Sequence, residues 1–299
     1  MSFLEFLSVF EYRRTAIGAV IIGIAAGMLG CHLYLRRQSM LADVVGHSSV
    51  AGVMGAFIGA SMLSVDGRSI LVIVIGALVS GLLAVGLTDW VARVSRVRDD
   101  AAMAASLALF YGGGMILLHI IQHSTLPNRG GIDELMFGKV STLTAADNAT
   151  LGVIAFIVVL ATVVLHRPFH TMLFDPVMAK LVMSPRRATV LSIIQMVLIV
   201  CAVVLGIKSV GLILIIAFAI FPSAAARQWT RSLGAMMALA ALFGAVAGVL
   251  GSWLSVVGQG MPAGPVIVLV LTAIVLVSFI AAPRRGLVAR MLRKSVVRS

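Results

Sequence analysis

Residues 69–91 read SILVIVIGALVSGLLAVGLTDWV, an apolar run with no charge before Asp89. A bilayer core about 30 Å thick is crossed by roughly 20 such residues in a helix. Barrel strands would instead alternate apolar and polar positions over short runs. In lipid the backbone must satisfy its own hydrogen bonds, so a continuous apolar run of this length is read as a helix. Comparable runs lie at 15–35, 40–63, 101–121, 146–165, 188–206, 209–226, 232–255 and 264–282. They predict an all-α, polytopic transmembrane helical bundle, one domain over 1–299, of about nine spans. Eight are possible, because 209–226 is short and ends in Phe221-Pro222, a sign of a broken or half-crossing helix. Small residues four apart, as in Gly23–Gly27 and Gly55–Gly59, predict close helix approach.

Composition agrees. Hydrophobic residues make up 61% of the chain and charged residues 11%, against roughly 25% charged in a soluble domain. No soluble catalytic domain or long linker fits; the longest polar stretches are about 122–145 and 166–187. The sequence pI near 11.2 does not point to nucleic acid, because the basic residues sit in short clusters between apolar runs. Seventeen of the 23 Lys and Arg residues fall on one side if the N-terminus is outside, among them six in the tail 283–299. By the positive-inside rule that side is the cytoplasm. Cys31 and Cys201 lie within apolar runs and read as packing residues rather than a disulfide or metal site. The first residues, MSFLEFLSVFEY, lack a basic start and a small-residue cleavage site, so no cleaved signal peptide is expected. There is no G-x-x-x-x-G-K-[ST] phosphate loop, no H-E-x-x-H and no G-x-S-x-G, which excludes nucleotide hydrolysis by this chain and leaves a hydrolase unsupported.

Of the eleven acidic residues, only Asp43 and Asp89 fall inside spans, Asp89 close to an inner end; Asp147 sits at the outer end of 146–165. An ionisable group in a span is costly and points to function. Four residues after Asp43 comes His47, on the same helical face. A carboxylate and an imidazole so placed can both reach one divalent cation; the same pair could also be a hydrogen bond that packs two helices. The stripe continues as Ala51, Gly55 and Gly59, so bulk disappears beyond the polar pair. His119 and His123 repeat the four-residue spacing near the outer end of the fourth span and could meet an arriving cation or simply be solvated. His32 follows Cys31 in the first span and could line a pathway or bond within the bundle. His166 and His170 flank Pro168 in an inner loop and are expected to be solvated.

The stretch LFDPVMAKLVMSPRR, from Leu173, predicts a short cytoplasmic helix over about 174–185. Asp175 can cap its start, Pro176 suits the first helical position and Pro185 limits it to about two turns. Such a helix could dock into another protein or rest on lipid headgroups.

LRRQSMLADVVGHSSVAG, carrying Asp43, His47 and Gly52, resembles the membrane permeases of bacterial ABC importers for divalent metals. VRDDAAMA, LFDPVMAKLVMSP and SWLSVVGQGMPAGPVIVLV followed by APRRG resemble further blocks of that family, in order over about 15–290. The resemblance implies a type II ABC importer-like permease in the bacterial inner membrane, not itself an enzyme. It implies Asp43 and His47 as ligands on the metal pathway, with His32, His119 and His123 as weaker candidates. It implies ATPase coupling through Phe174, Asp175, Pro176, Ala179 and Lys180. The cargo it implies is manganese, zinc or ferrous iron, with no permanently bound cofactor. The partners it implies are a second permease subunit, identical or paralogous, two cytoplasmic ATPase subunits and an extracytoplasmic metal-binding protein. Ala51 stands where a Pro is frequent in the family; Val177 and Met183 replace a frequent acid and Gly, which bears on ATPase docking.

The alternatives are an ion-coupled secondary transporter and an ABC permease for a metal chelate. The first often has two related halves, and no internal repeat is evident here. The second usually has ten spans and a wider pathway. An intramembrane enzyme lacks its nucleophile or metal motif.

Overall fold

The computed structural model describes residues 3–35, 39–67, 69–126, 130, 145–206, 215–258, 261–283 and 286. Among these, the regular structure is helical throughout. The helices are α1 (Phe3–Ser8), α2 (Phe10–Leu35), α3 (Ser39–Met62), α4 (Ile70–Val94), α5 (Asp99–His123) and α6 (Ala145–Val164). They continue as α7 (His166–Phe174), α8 (Pro176–Val182), α9 (Pro185–Leu205), α10 (Ile215–Trp229), α11 (Leu233–Val257) and α12 (Ala263–Ala281).

The quoted run becomes α4, and its faces reveal the solvent. Ile73, Ala77 and Ala84 are buried against the bundle, while Leu71, Ile75, Val79 and Leu83, a stripe at four-residue intervals, are exposed. A soluble helix would show water a polar stripe; this one shows an apolar stripe, as lipid requires. Ser69 caps the start, its hydroxyl accepting from the Val72 amide at 3.4 Å.

The α2 helix forms the axis of the bundle, packing along α11 and α10 and against α6 and α9. Ala19, Ile22, Ala25, Ala26 and Leu29 are buried on it. The approach to α11 is backbone to backbone. A methyl group added at Gly23 would collide with the Gly244 carbonyl, and one at Gly27 would lie 2.7 Å from the Ala240 oxygen. Without the hydrophobic effect between lipid-embedded helices, such close packing is what holds them together. A second group, α3, α4 and α5, is assembled in the same way: Gly52 and Gly76 meet between α3 and α4, and Gly114 of α5 abuts the Ala51 backbone.

Three expectations are corrected. Seven described helices are long and apolar enough to cross a membrane, or eight if one bent pair counts as a single span, against the nine predicted. The fifth predicted span, 146–165, is found as α6, Ala145–Val164, after which the chain turns by 63° into α7. The seventh predicted span, 209–226, is described only from Ile215 onward, as a helix of 15 residues.

Phe221-Pro222 does not end that helix, which runs through Pro222 to Trp229. Proline deletes a backbone donor and would cost about 3 kcal/mol in an isolated helix. Here Pro222 is buried, and neighbouring Ser223 donates to both Ala219 O and, across to α2, Gly27 O at 3.1 Å. Neighbouring helices make a proline tolerable inside a membrane bundle.

The third correction concerns His166 and His170, expected solvated in a loop: both are helical, with His170 exposed as expected and His166 partly buried. They lie on α7 with Pro168 in its first turn, where a missing donor costs little. His166 lines a cavity of about 300 Å³ with Met28, Gly234 and Met237, and its Nδ1 is buried.

Candidate metal pathway

Asp43 and His47 sit one turn apart on α3, both half-buried. The helix there is fixed on two sides. The Ser80 hydroxyl of α4 donates to the carbonyl of Ser48, next to His47. Ser48 and Ser49 donate back to the Val45 carbonyl at 3.1 and 2.6 Å. From α5, Tyr111 meets the His47 imidazole edge-on, with ring centroids 5.0 Å apart. The His47 Nδ1 is buried with no hydrogen-bond partner among the described residues. An orphaned buried imidazole nitrogen is a lone pair or a donor held without a protein partner.

Beyond His47 the stripe of small residues opens. A methyl group added at Gly55 or Gly59 would meet nothing within 4 Å. Ala51, Gly52, Gly55, Ile75, Val79 and Phe110 line a groove of about 420 Å³ between α3, α4 and α5. The groove is almost wholly apolar, opens on the exposed stripe of α4, and its lining begins at Ala51, one turn beyond His47.

Among the described residues no group of three or more His, Cys, Asp or Glu side chains converges on one point. Asp43 and His47 by themselves would offer only two donors, half the shell of a four-coordinate ion. The other sequence candidates lie apart. His32 is fully buried in α2 and packs edge-to-face on Phe169, centroids 5.7 Å apart. His119 and His123 are exposed near the far end of α5. Asp89 pairs with Arg93 at 2.6 Å, one turn on, which gives that in-span acid a local partner. Cys31 is a free thiol donating to Gly27 O at 3.4 Å, and Cys201 is also free.

The short helix α8 has the capping expected of it. The Asp175 carboxylate accepts from the Met178 amide at 2.9 Å, with Pro176 opening the helix. Ala179 is buried, whereas Phe174, Val177, Met178, Leu181 and Val182 are exposed, Leu181 by 78%. Lys180 lies on the same helix. The next helix starts at Pro185, capped by Ser184, whose hydroxyl accepts from the Arg187 amide at 3.4 Å.

Tyr111 was not among the sequence candidates. Its contact with His47 spans three helices of sequence, and nothing local to Tyr111 announces it.

A bundle of membrane-crossing helices, an in-span carboxylate–imidazole pair and a short capped helix between spans are the arrangement of a membrane transport subunit. The chain belongs to the ABC 3 transport family, whose profile matches residues 10–282. It is a multi-pass permease of the cytoplasmic membrane, and ATP hydrolysis belongs to a separate subunit. It is 34% identical over 294 residues to the zinc transport system membrane protein TroC of Treponema pallidum, covering 97% of this chain and 95% of that one. It is 36% identical over 276 residues to the manganese transport system membrane protein MntC of Bacillus subtilis, covering 92% of this chain; it spans only 62% of that relative's length. The solved structure of PsaBC from Streptococcus pneumoniae in complex with Fab superposes with a TM-score of 0.83 at 29% identity, covering 98% of both chains.

Proposed function

We propose that the chain moves a divalent metal ion, manganese or zinc, into the cytoplasm by alternating access driven by partner ATPases. The observation that carries this reading is the Asp43–His47 pair: a carboxylate and an imidazole on one face, inside the membrane, with an unpartnered ring nitrogen and a stripe without side-chain bulk leading away. The names of the relatives supply manganese and zinc; iron rests on the sequence resemblance alone. Carboxylate and imidazole suit both metals and do not separate them.

Two ligands are too few to strip an ion of its water. A second permease copy across a central axis would bring two of each, and four N/O donors without thiolates would hold the ion loosely enough to release it. Two ATPase subunits would push on the exposed face of α8, and an extracytoplasmic metal-binding protein would deliver the ion. A carboxylate in the bundle needs a cation or proton to offset its desolvation; the cargo would provide it.

The test is uptake of radiolabelled manganese and zinc by cells carrying Asp43→Asn or His47→Gln. Each keeps a polar side chain but loses a strong donor. The expected outcome is loss of uptake with membrane expression retained. Normal uptake in both single variants would overturn the pair as ligands and leave it a packing contact.

A further inference from the structure

The far end of α5 carries a second pair of imidazoles with its own geometry. His119 and His123 are one turn apart, both exposed, with ring centroids 4.2 Å apart and planes tilted by 41°. The His123 Nδ1–H donates to the His119 carbonyl at 2.9 Å. A carbonyl only accepts, so in the neutral ring the proton lies on Nδ1 and the lone pair on Nε2. A second-shell carbonyl that fixes the tautomer in this way is the usual companion of a metal-binding imidazole. The helix aligns the two rings in advance, so little rotamer freedom remains to be lost on chelation. The other four-residue histidine pair, His166 and His170, has its rings 6.1 Å apart, and one of its nitrogens is buried.

We propose that His119 and His123 chelate a divalent cation of zinc, nickel or copper type at the end of α5 that the Lys and Arg distribution assigns to the outside. The pair supplies two nitrogen ligands and water completes the shell, giving a site that takes up and releases its ion quickly. It lies on the same helix as Tyr111, which touches His47, with His119 about 12 Å and His123 about 18 Å along the axis from Tyr111. Its place as a capture point ahead of Asp43 and His47 rests on the transport reading above; the chelate itself does not.

The experiment separates the two. Full-length protein carrying Asp43→Asn and His47→Gln is reconstituted in lipid nanodiscs and titrated with Cu²⁺, followed by electron paramagnetic resonance. The expected result is one site per chain with two imidazole nitrogens, reduced to one nitrogen and at least tenfold weaker binding by His119→Gln or His123→Gln. A two-nitrogen signal that survives the double His119→Gln, His123→Gln change would overturn the site. In cells with intact Asp43 and His47, the double variant should raise the half-saturating concentration for zinc uptake several-fold while keeping the maximal rate. An unchanged half-saturating concentration would overturn the capture role.

Discussion

The ring of Tyr111 stands edge-on to the imidazole of His47 at a centroid distance of 5.0 Å, joining α5 to α3 at the polar pair. An aromatic edge contact of this kind is worth about 1 kcal/mol beyond burial. It also fixes the plane of the imidazole and so the direction of its lone pair.

Replacing Tyr111 by Ala should therefore free the ring and raise the half-saturating metal concentration several-fold, whereas Tyr111→Phe keeps the contact and should stay near wild type. Transport assays over a range of manganese concentrations check this. Equal behaviour of the two variants would mean that the ring does not position His47.

Acidification should weaken metal uptake. A ligating imidazole must be neutral and a ligating carboxylate ionised, so protons compete with the ion for any site built from these two groups. The expected trend is a half-saturating concentration that rises as the outside pH falls, measured with the ATPase activity checked separately at each pH. A flat profile would argue that neither group binds the ion.

At α8 the Asp175 carboxylate holds the Met178 amide at 2.9 Å. Removing an N-cap costs about 1 kcal/mol, and a seven-residue helix has little else to hold its first turn. Changing Asp175 and Pro176 to Gly should fray it and uncouple ATP hydrolysis from uptake while the protein still inserts. Reconstituted vesicles that hydrolyse ATP and import metal at the normal ratio would remove this helix from the coupling path.

Gly52 and Gly55 offer an internal control, since they lie on one helix three residues apart. A methyl group at Gly52 meets the Gly76 carbonyl, while at Gly55 it meets open space. Gly52→Val should lose about 2 kcal/mol through overpacking, and Gly55→Ala should cost next to nothing. Thermal unfolding of the purified protein in detergent measures both.

How far the sequence reaches can be seen at these same residues. The helical, membrane-spanning character of α4 follows from its composition alone, because the solvent is legible in the residues it touches. Capping at Asp175 is legible too, being a bond over three residues. The Asp43–His47 pair stands out since a carboxylate in a span has so few reasons to be there. What stays hidden depends on distant pairing. The turn at Leu165 follows from how α7 folds back, with Phe169 against His32, and the continuation through Pro222 rests on Ser223 reaching α2. Neither has a local signature in the sequence.

The glycine contacts have a consequence for how the molecule moves. Where Gly23 meets Gly244 there is no layer of side chains to act as a bearing, so α2 and α11 cannot roll or slide past one another without backbone striking backbone. The same lock holds α3 to α4 at Gly52 and Gly76. Each couple is thus obliged to travel as one rigid lever. Between α2 and α3 themselves the contact is slight, and α9 packs against both groups. On the transport reading proposed above, Asp43 and His47 would ride on the second lever, and their surroundings would open and close by the tilt of two stiff bodies with no side-chain gate required to swing.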